Sequence, residues 1–138
     1  MTDFFFHFSA LSVLPFWAMM IFLPKWSKTE KIIQSPWIIL PPIVCYLAFL
    51  LPNMVEALAI FADASPENLA KAMSSTWGAG MFWAYAGAFD LFVGRWMYLD
   101  AKKHGVAHWI LAPILVVTIA FGPLGFLLYV FAKLTSKK

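Results

Sequence analysis

Residues 86–101, AGAFDLFVGRWMYLDA, set Asp90, Arg95 and Asp100 in a run otherwise made of Phe, Trp, Leu, Met, Gly and Ala. A carboxyl at Asp90 is the group most able to do chemistry there. Two readings fit it: a recessed carboxyl lining a pocket, or a protonated side chain bonded to a neighbouring helix. On a helix, its neighbours three, four and seven residues away are Trp83, Ala86, Gly87, Val93, Gly94 and Met97. Gly87 and Gly94 would leave room beside it for a ligand or a partner helix. Arg95 lies about 140° around the helix from Asp90, a poor spacing for an ion pair. It is expected to reach headgroups or to pair with another helix. Asp100, Lys102, Lys103, His104 and His108 read as a solvated boundary, and two histidines with one aspartate are too weak a set for zinc. In LPNMVEAL, Asn53 and Glu56 share a helix face three residues apart. Glu56 lies close enough to the following loop to reach water or a ligand. Trp83 and Tyr85, with Phe89 and Phe92, add an aromatic surface to the Asp90 segment, suited to a flat or polyene ligand or to packing.

The elements that carry these residues follow from composition. Hydrophobic residues make up 62% of the 138, and charged residues only 12%. The mean hydropathy is +0.78. A soluble domain is nearer half apolar and a quarter charged. A chain this short cannot bury so much apolar surface in itself, so lipid is the expected solvent. The fold class is therefore all-α, an integral membrane bundle of four transmembrane helices in one domain over 1–138. The spans run over about 4–24, 37–61, 75–99 and 107–132, each close to the 20 or so residues that a crossing needs.

The breaks between spans are PKWSKTEKIIQSP, ADASPENLAKA and AKKHGVA. Pro41 and Pro42 fall in the first turns of span two and would delay its start. Pro52 and Pro123 should kink their helices. Gly80, Ala84 and Ala88 form a stripe of small residues suited to close helix packing. Trp17, Trp26, Trp37, Trp77, Trp96 and Trp109 lie near span ends, as an interfacial belt would have them. The first segment lacks a basic start and a small-residue cleavage pattern, so it reads as a retained span.

Lysines at 25, 28 and 31 and at 102 and 103 place the first and third loops in the cytoplasm, with both termini together on the other side. Lys133, Lys137 and Lys138 in the tail run against that orientation. The net charge of +3 is scattered at segment ends, so nucleic acid is not a partner. Cys45, the one cysteine, stands in an apolar run and allows no disulfide within the chain.

Three segments resemble a known family. DLFVGRWMYLDA is similar to the D-L-F-x-x-R-x-x-Y-x-D signature of the abscisic-acid-deficient-four family, linked in plants to neoxanthin formation. LPFWAMMIFLPKW resembles its early Leu-Pro-Phe and Pro-Lys segment, and FGPLGFLLYVFAK its late Pro-x-Gly segment. The matching positions are Trp83, Asp90, Leu91, Phe92, Arg95, Tyr98 and Asp100, with Pro15, Pro24, Lys25, Pro123 and Gly125. The resemblance implies carotenoid or xanthophyll metabolism in a membrane, and the want of a targeting segment points to a bacterial inner or photosynthetic one. Forming neoxanthin opens an epoxide and creates an allene, which needs an acid for the oxygen and a base for a carbon-bound proton. On this implication Asp90 is the acid, Arg95 holds an oxygen or orients Asp90, and Tyr98 adds a hydroxyl. Trp83, Tyr85, Gly87, Gly94 and Glu56 would line the ligand site. An isomerisation needs no metal and no redox cofactor. The partners are membrane lipids and a bound carotenoid. The competing reading is a non-enzymatic subunit of a photosynthetic or other pigment–protein complex.

Overall fold

A computed structural model describes residues 1–136; the Lys137 and Lys138 of the orientation argument lie outside them. The described residues are all-α, with no strand. The helices are α1 (Thr2–Phe22), α2 (Ser27–Gln34), α3 (Leu40–Leu50), α4 (Met54–Ala62), α5 (Pro66–Met73), α6 (Thr76–His104), α7 (His108–Ala120) and α8 (Gly122–Ser136). Among the described residues, two stretches are long and apolar enough to cross a membrane, Thr2–Phe22 and Pro36–Ala62.

The differences from the expected four spans have local causes. The second span is not one regular helix. It opens with a 3-10 turn over Pro36–Ile39 and is interrupted by another over Leu51–Asn53. Pro52 supplies no N–H to the helix ladder, and Asn53 ties the break by donating from its side chain to the Phe49 carbonyl at 2.9 Å. Two of the three breaks between spans hold helices of their own. SKTEKIIQ forms α2, which buries Thr29 and Ile33. PENLAKAM forms α5, with Ser65 capping its start by accepting from the Asn68 amide at 3.1 Å and Pro66 in its first turn. The fourth span is two helices, divided at Phe121, two residues before Pro123, where the expected kink becomes a full break.

The chain forms two compact units. The first comprises Met1–Ser12 and Leu40–Ala88. Its core is aromatic and small: Phe49 lies against Gly80, where any side chain would strike its ring. Phe5 meets Phe49 edge-on at 6.3 Å, and Ala84, Ala88, Cys45 and Ala57 are buried. The stripe of Gly80, Ala84 and Ala88 is thus the packed face of α6 in this unit.

The second unit comprises Val13–Ile39 and Phe89–Lys138. Trp17, Met20, Ile33, Leu91, Met97, Tyr98, Leu115 and Tyr129 are buried in it. Trp17 is no interfacial belt residue: it is 3% exposed and its indole fills the notch at Gly94. At the end of α6, Gly105 takes a φ of 72°, open to glycine at little cost. The Val106 amide then bonds back to the Ala101 carbonyl at 2.9 Å, a Schellman ending that turns the chain directly into α7.

From there α7 runs back along α6 and α8 returns alongside it. His108 and Leu111, at the start of α7, share a small hollow with Tyr98, Ala101 and Lys102. Gly122, at the start of α8, lies against Asp90. Further along α8, Phe126 and Tyr129 meet Trp96 with ring centroids 5.8 Å apart, and Tyr129 and Lys133 reach Asp100. Contacts on α6 and α8 therefore rise together in number, so these two helices run parallel and α7 antiparallel to both. Close to the turn, α7 and α8 touch at Thr118 and Gly125, where a side chain on Gly125 would collide with the threonine.

Candidate functional site

Asp90 sits on α6 and is half-buried. Its carboxylate occupies the space that a side chain on Gly122 would need. Gly122 opens α8, and Pro123 follows in the first turn. The first turn of a helix presents unpaired N–H groups and the positive end of the helix dipole. Asp90 therefore sets its carboxyl group against the first turn of α8. The Phe121 amide is taken by the Val117 carbonyl at 2.8 Å, and the Gly125 amide by the Phe121 carbonyl at 2.9 Å. Among the described residues Asp90 forms no ion pair with Arg95; the guanidinium is engaged elsewhere.

Arg95 donates from Nε to the Ile33 carbonyl at 2.7 Å and from its terminal nitrogen to the Gln34 carbonyl. These are among the last carbonyls of α2, which have no partners within their own helix. The expectation of a headgroup contact or a carboxylate partner is thus replaced by a helix cap. Tyr98 is 1% exposed, and its hydroxyl donates to the Pro24 carbonyl at 3.2 Å. Lys102 lies over the Tyr98 ring at 4.9 Å and pairs with Glu30 at 3.1 Å. Arg95, Tyr98 and Lys102 together fasten the first loop to α6.

Asp100 was expected at a solvated boundary, yet its side chain is only 13% exposed. Its Oδ2 accepts from the Tyr129 hydroxyl at 2.6 Å and from the Lys133 ammonium at 2.7 Å, and Oδ1 lies 3.2 Å from His104. Burial alone would raise its pKa, but the bonds from Lys133 and Tyr129 and the nearby positive groups outweigh it. The carboxyl is held below the usual range. His108 is also engaged, its Nε2 lying 2.8 Å from the Ile21 carbonyl at the end of α1.

Of the ligand-lining candidates, Gly94 is closed by Trp17, whereas nothing lies within contact distance of the open side of Gly87. Trp83 stacks on Phe6 at 5.5 Å. Glu56 lines a cavity of about 630 Å³ with Asp63, Asn68, Lys71, Ser75 and Trp77. Tyr85 lines an apolar groove of about 420 Å³ with Tyr46, Phe61, Met81 and Phe82. Trp77, Ile60 and Ala72 border both, so a cavity with several polar side chains on its wall adjoins an apolar groove within the first unit. Asp63, Asn68 and Lys71 came from a segment read as a break between spans, and Ser75 from the start of the third span. The signal that could have found them is Ser65-Pro66-Glu67, a capped helix start.

The family model described as ABA DEFICIENT 4-like matches residues 4–129. The chain belongs to that family. The match takes in all three segments that carried the resemblance as far as Tyr129, including the meeting point of Asp90 and Gly122. Among ABA DEFICIENT 4-like proteins, the chain is 30% identical over 101 residues to Protein ABA DEFICIENT 4, chloroplastic, of Arabidopsis thaliana. The alignment takes in 69% of this chain and 46% of the relative, so the chain spans about half the length of that curated protein. No solved structure matches the chain.

Proposed function

We propose that this chain is an integral membrane protein of carotenoid metabolism, in a bacterial inner or photosynthetic membrane, that binds an oxygenated carotenoid and isomerises it. Its four apolar segments lie in the bilayer. The observation that carries the reading is the seating of Asp90 against Gly122, where two of the segments that resemble the family, both within the matched residues, come together. Asp90, in its protonated form, gives its proton to an epoxide oxygen as the carbon–oxygen bond breaks. The carboxylate left behind is a base of the right type for the proton that leaves the adjacent polyene carbon. The allene then forms with no change in composition, and no redox cofactor is required.

Arg95 and Tyr98 act in this scheme by fixing α6 and the first loop, since their polar atoms already have partners. Taken by itself, the first unit offers hydrogen-bonding groups around Glu56 and an apolar groove beside Tyr85, a lining suited to an oxygenated carotenoid. The test is expression in a host that makes an epoxidised xanthophyll, followed by pigment chromatography. Wild type should convert the epoxide to an isomer of equal mass, and Asp90→Asn should leave the epoxide in place. An identical pigment profile with and without the gene overturns the reading.

A second reading, a non-enzymatic subunit of a pigment–protein complex, is favoured by the large rings left open to the surroundings. Trp37 is 70% exposed, Phe61 77% and Trp109 78%. Fractionation in mild detergent separates the two. Co-migration with a large pigmented complex supports the subunit, and a small active species supports the isomerase.

A further inference from the structure

We infer that residues 108–136 form a re-entrant helical hairpin, entering and leaving the membrane on one face and bringing the amino end of α8 to Asp90. The inference rests on the membrane reading above. Its first support is length. α7 has 13 residues and α8 has 15, about 20 and 22 Å of helix, and both fall short of a hydrocarbon core of about 30 Å. Its second support is direction. α7 starts beside the end of α6 and beside Ile21, and α8 finishes beside Asp100. The two feet of the hairpin therefore stand together, and its tip at Phe121–Gly122 lies about 15 Å away, at the level of Asp90.

The distribution of polar groups agrees. Asp100, Lys102, Lys103, His104, His108 and Lys133 are at the feet, and the tip sequence FGPLGF carries no charge. Irregular backbone inside a bilayer is tolerated where protein covers it. Gly122 is buried at the tip, and Thr118 and Gly125 close the two helices on each other just behind it. At the exit, Asp100 holds both Tyr129 and Lys133. The arrangement also removes the conflict in the charge pattern. With a fourth crossing, Lys133 would stand opposite the basic first and third loops; with a hairpin it stands with them.

The test is the sidedness of two points in the full chain. Protease sites are inserted after Gly105 and after Ser136, and cleavage is followed in sealed inverted vesicles and in spheroplasts. Both sites should be cut from the same face. As a second readout, Lys103→Cys and Ser136→Cys in a Cys45→Ser background should react with an impermeant maleimide from that same face. Opposite faces in either readout overturn the hairpin and restore a fourth crossing. Release of the whole protein by alkaline carbonate would instead overturn the membrane reading, so the two failures are distinguishable.

Discussion

At the scale of single residues, Gly122 is the position where the smallest change should matter. A methyl group there would occupy the place of the Asp90 carboxylate, and Gly122 itself is buried. Gly122→Ala should therefore lower stability by about 1–3 kcal/mol, the usual cost of overpacking. Thermal unfolding in detergent measures it. Removing the obstacle should relieve the cost, so Asp90→Ala with Gly122→Ala should be less destabilised than the two single changes added together. Additivity would mean that the two residues do not press on each other.

Asp100 makes a prediction in pH. Its folded pKa is lowered, so its contribution is fully present above the unfolded aspartate value of about 3.9 and is lost as pH falls through the folded value. Unfolding temperature should drop as pH goes below about 4, and Asp100→Asn should flatten that part of the profile. At neutral pH the same change weakens the bonds to Lys133 and Tyr129, at a cost of about 1.5–3 kcal/mol. An unchanged acid limb in the variant would assign the acid sensitivity to other carboxyls.

At the scale of elements, the apolar runs were legible because their length and hydropathy are large signals. The Gly80, Ala84 and Ala88 face of α6 was legible because small residues at helical spacing have few other uses. The short helices were not. α2 and α5 are polar on one side, and charge made them look like plain loops, although Ser65-Pro66 marks a helix start. The split of the last segment was signalled by Pro123 as a kink, but Phe121 and Gly122, as apolar as the residues around them, hid that it is a full break. What packs around the break, through Gly122 and Gly125, was not legible. Among candidate site residues, types were legible but partners were not: nothing local to Arg95 indicates that carbonyls 61 and 62 positions away would take its guanidinium. That capping role can be tested at the element it serves. Arg95→Met should loosen the end of α2 and speed hydrogen exchange at Ile32–Ser35 about tenfold or more, in keeping with charged bonds worth about 1.5–3 kcal/mol. Exchange in α5, which Arg95 does not touch, should stay as it was.

At the scale of the whole molecule, the decisive quantity is apolar surface that the chain does not cover. Leu11, Val55, Leu58, Phe61, Trp109 and Phe131 are all more than half exposed, and they belong to the apolar segments. A soluble protein rarely leaves contiguous apolar patches beyond a few hundred Å² in contact with water. In lipid the same surface needs no protein cover, and the backbone behind it is satisfied within helices. The charged groups are arranged to suit: Lys102 is paired with Glu30 and Lys133 with Asp100, both in the second unit and both at ends of the apolar segments. The expected outcome is that the protein stays in the membrane pellet through alkaline carbonate and high salt, and leaves it only with detergent. Salt alone would strip a protein held by its net charge of +3, because exposed charges are screened at high ionic strength. Changing Val55 and Leu58 together to lysine adds two charges to an exposed apolar face that the membrane reading puts in lipid; both lie toward the end of the segment, so each costs less than the about 2.5–3.5 kcal/mol of a charge at the bilayer centre. That variant should lose membrane accumulation, whereas Lys28→Ala with Lys31→Ala should retain it. Retention of the double-lysine variant at wild-type level would show that this face of α4 meets water and not lipid.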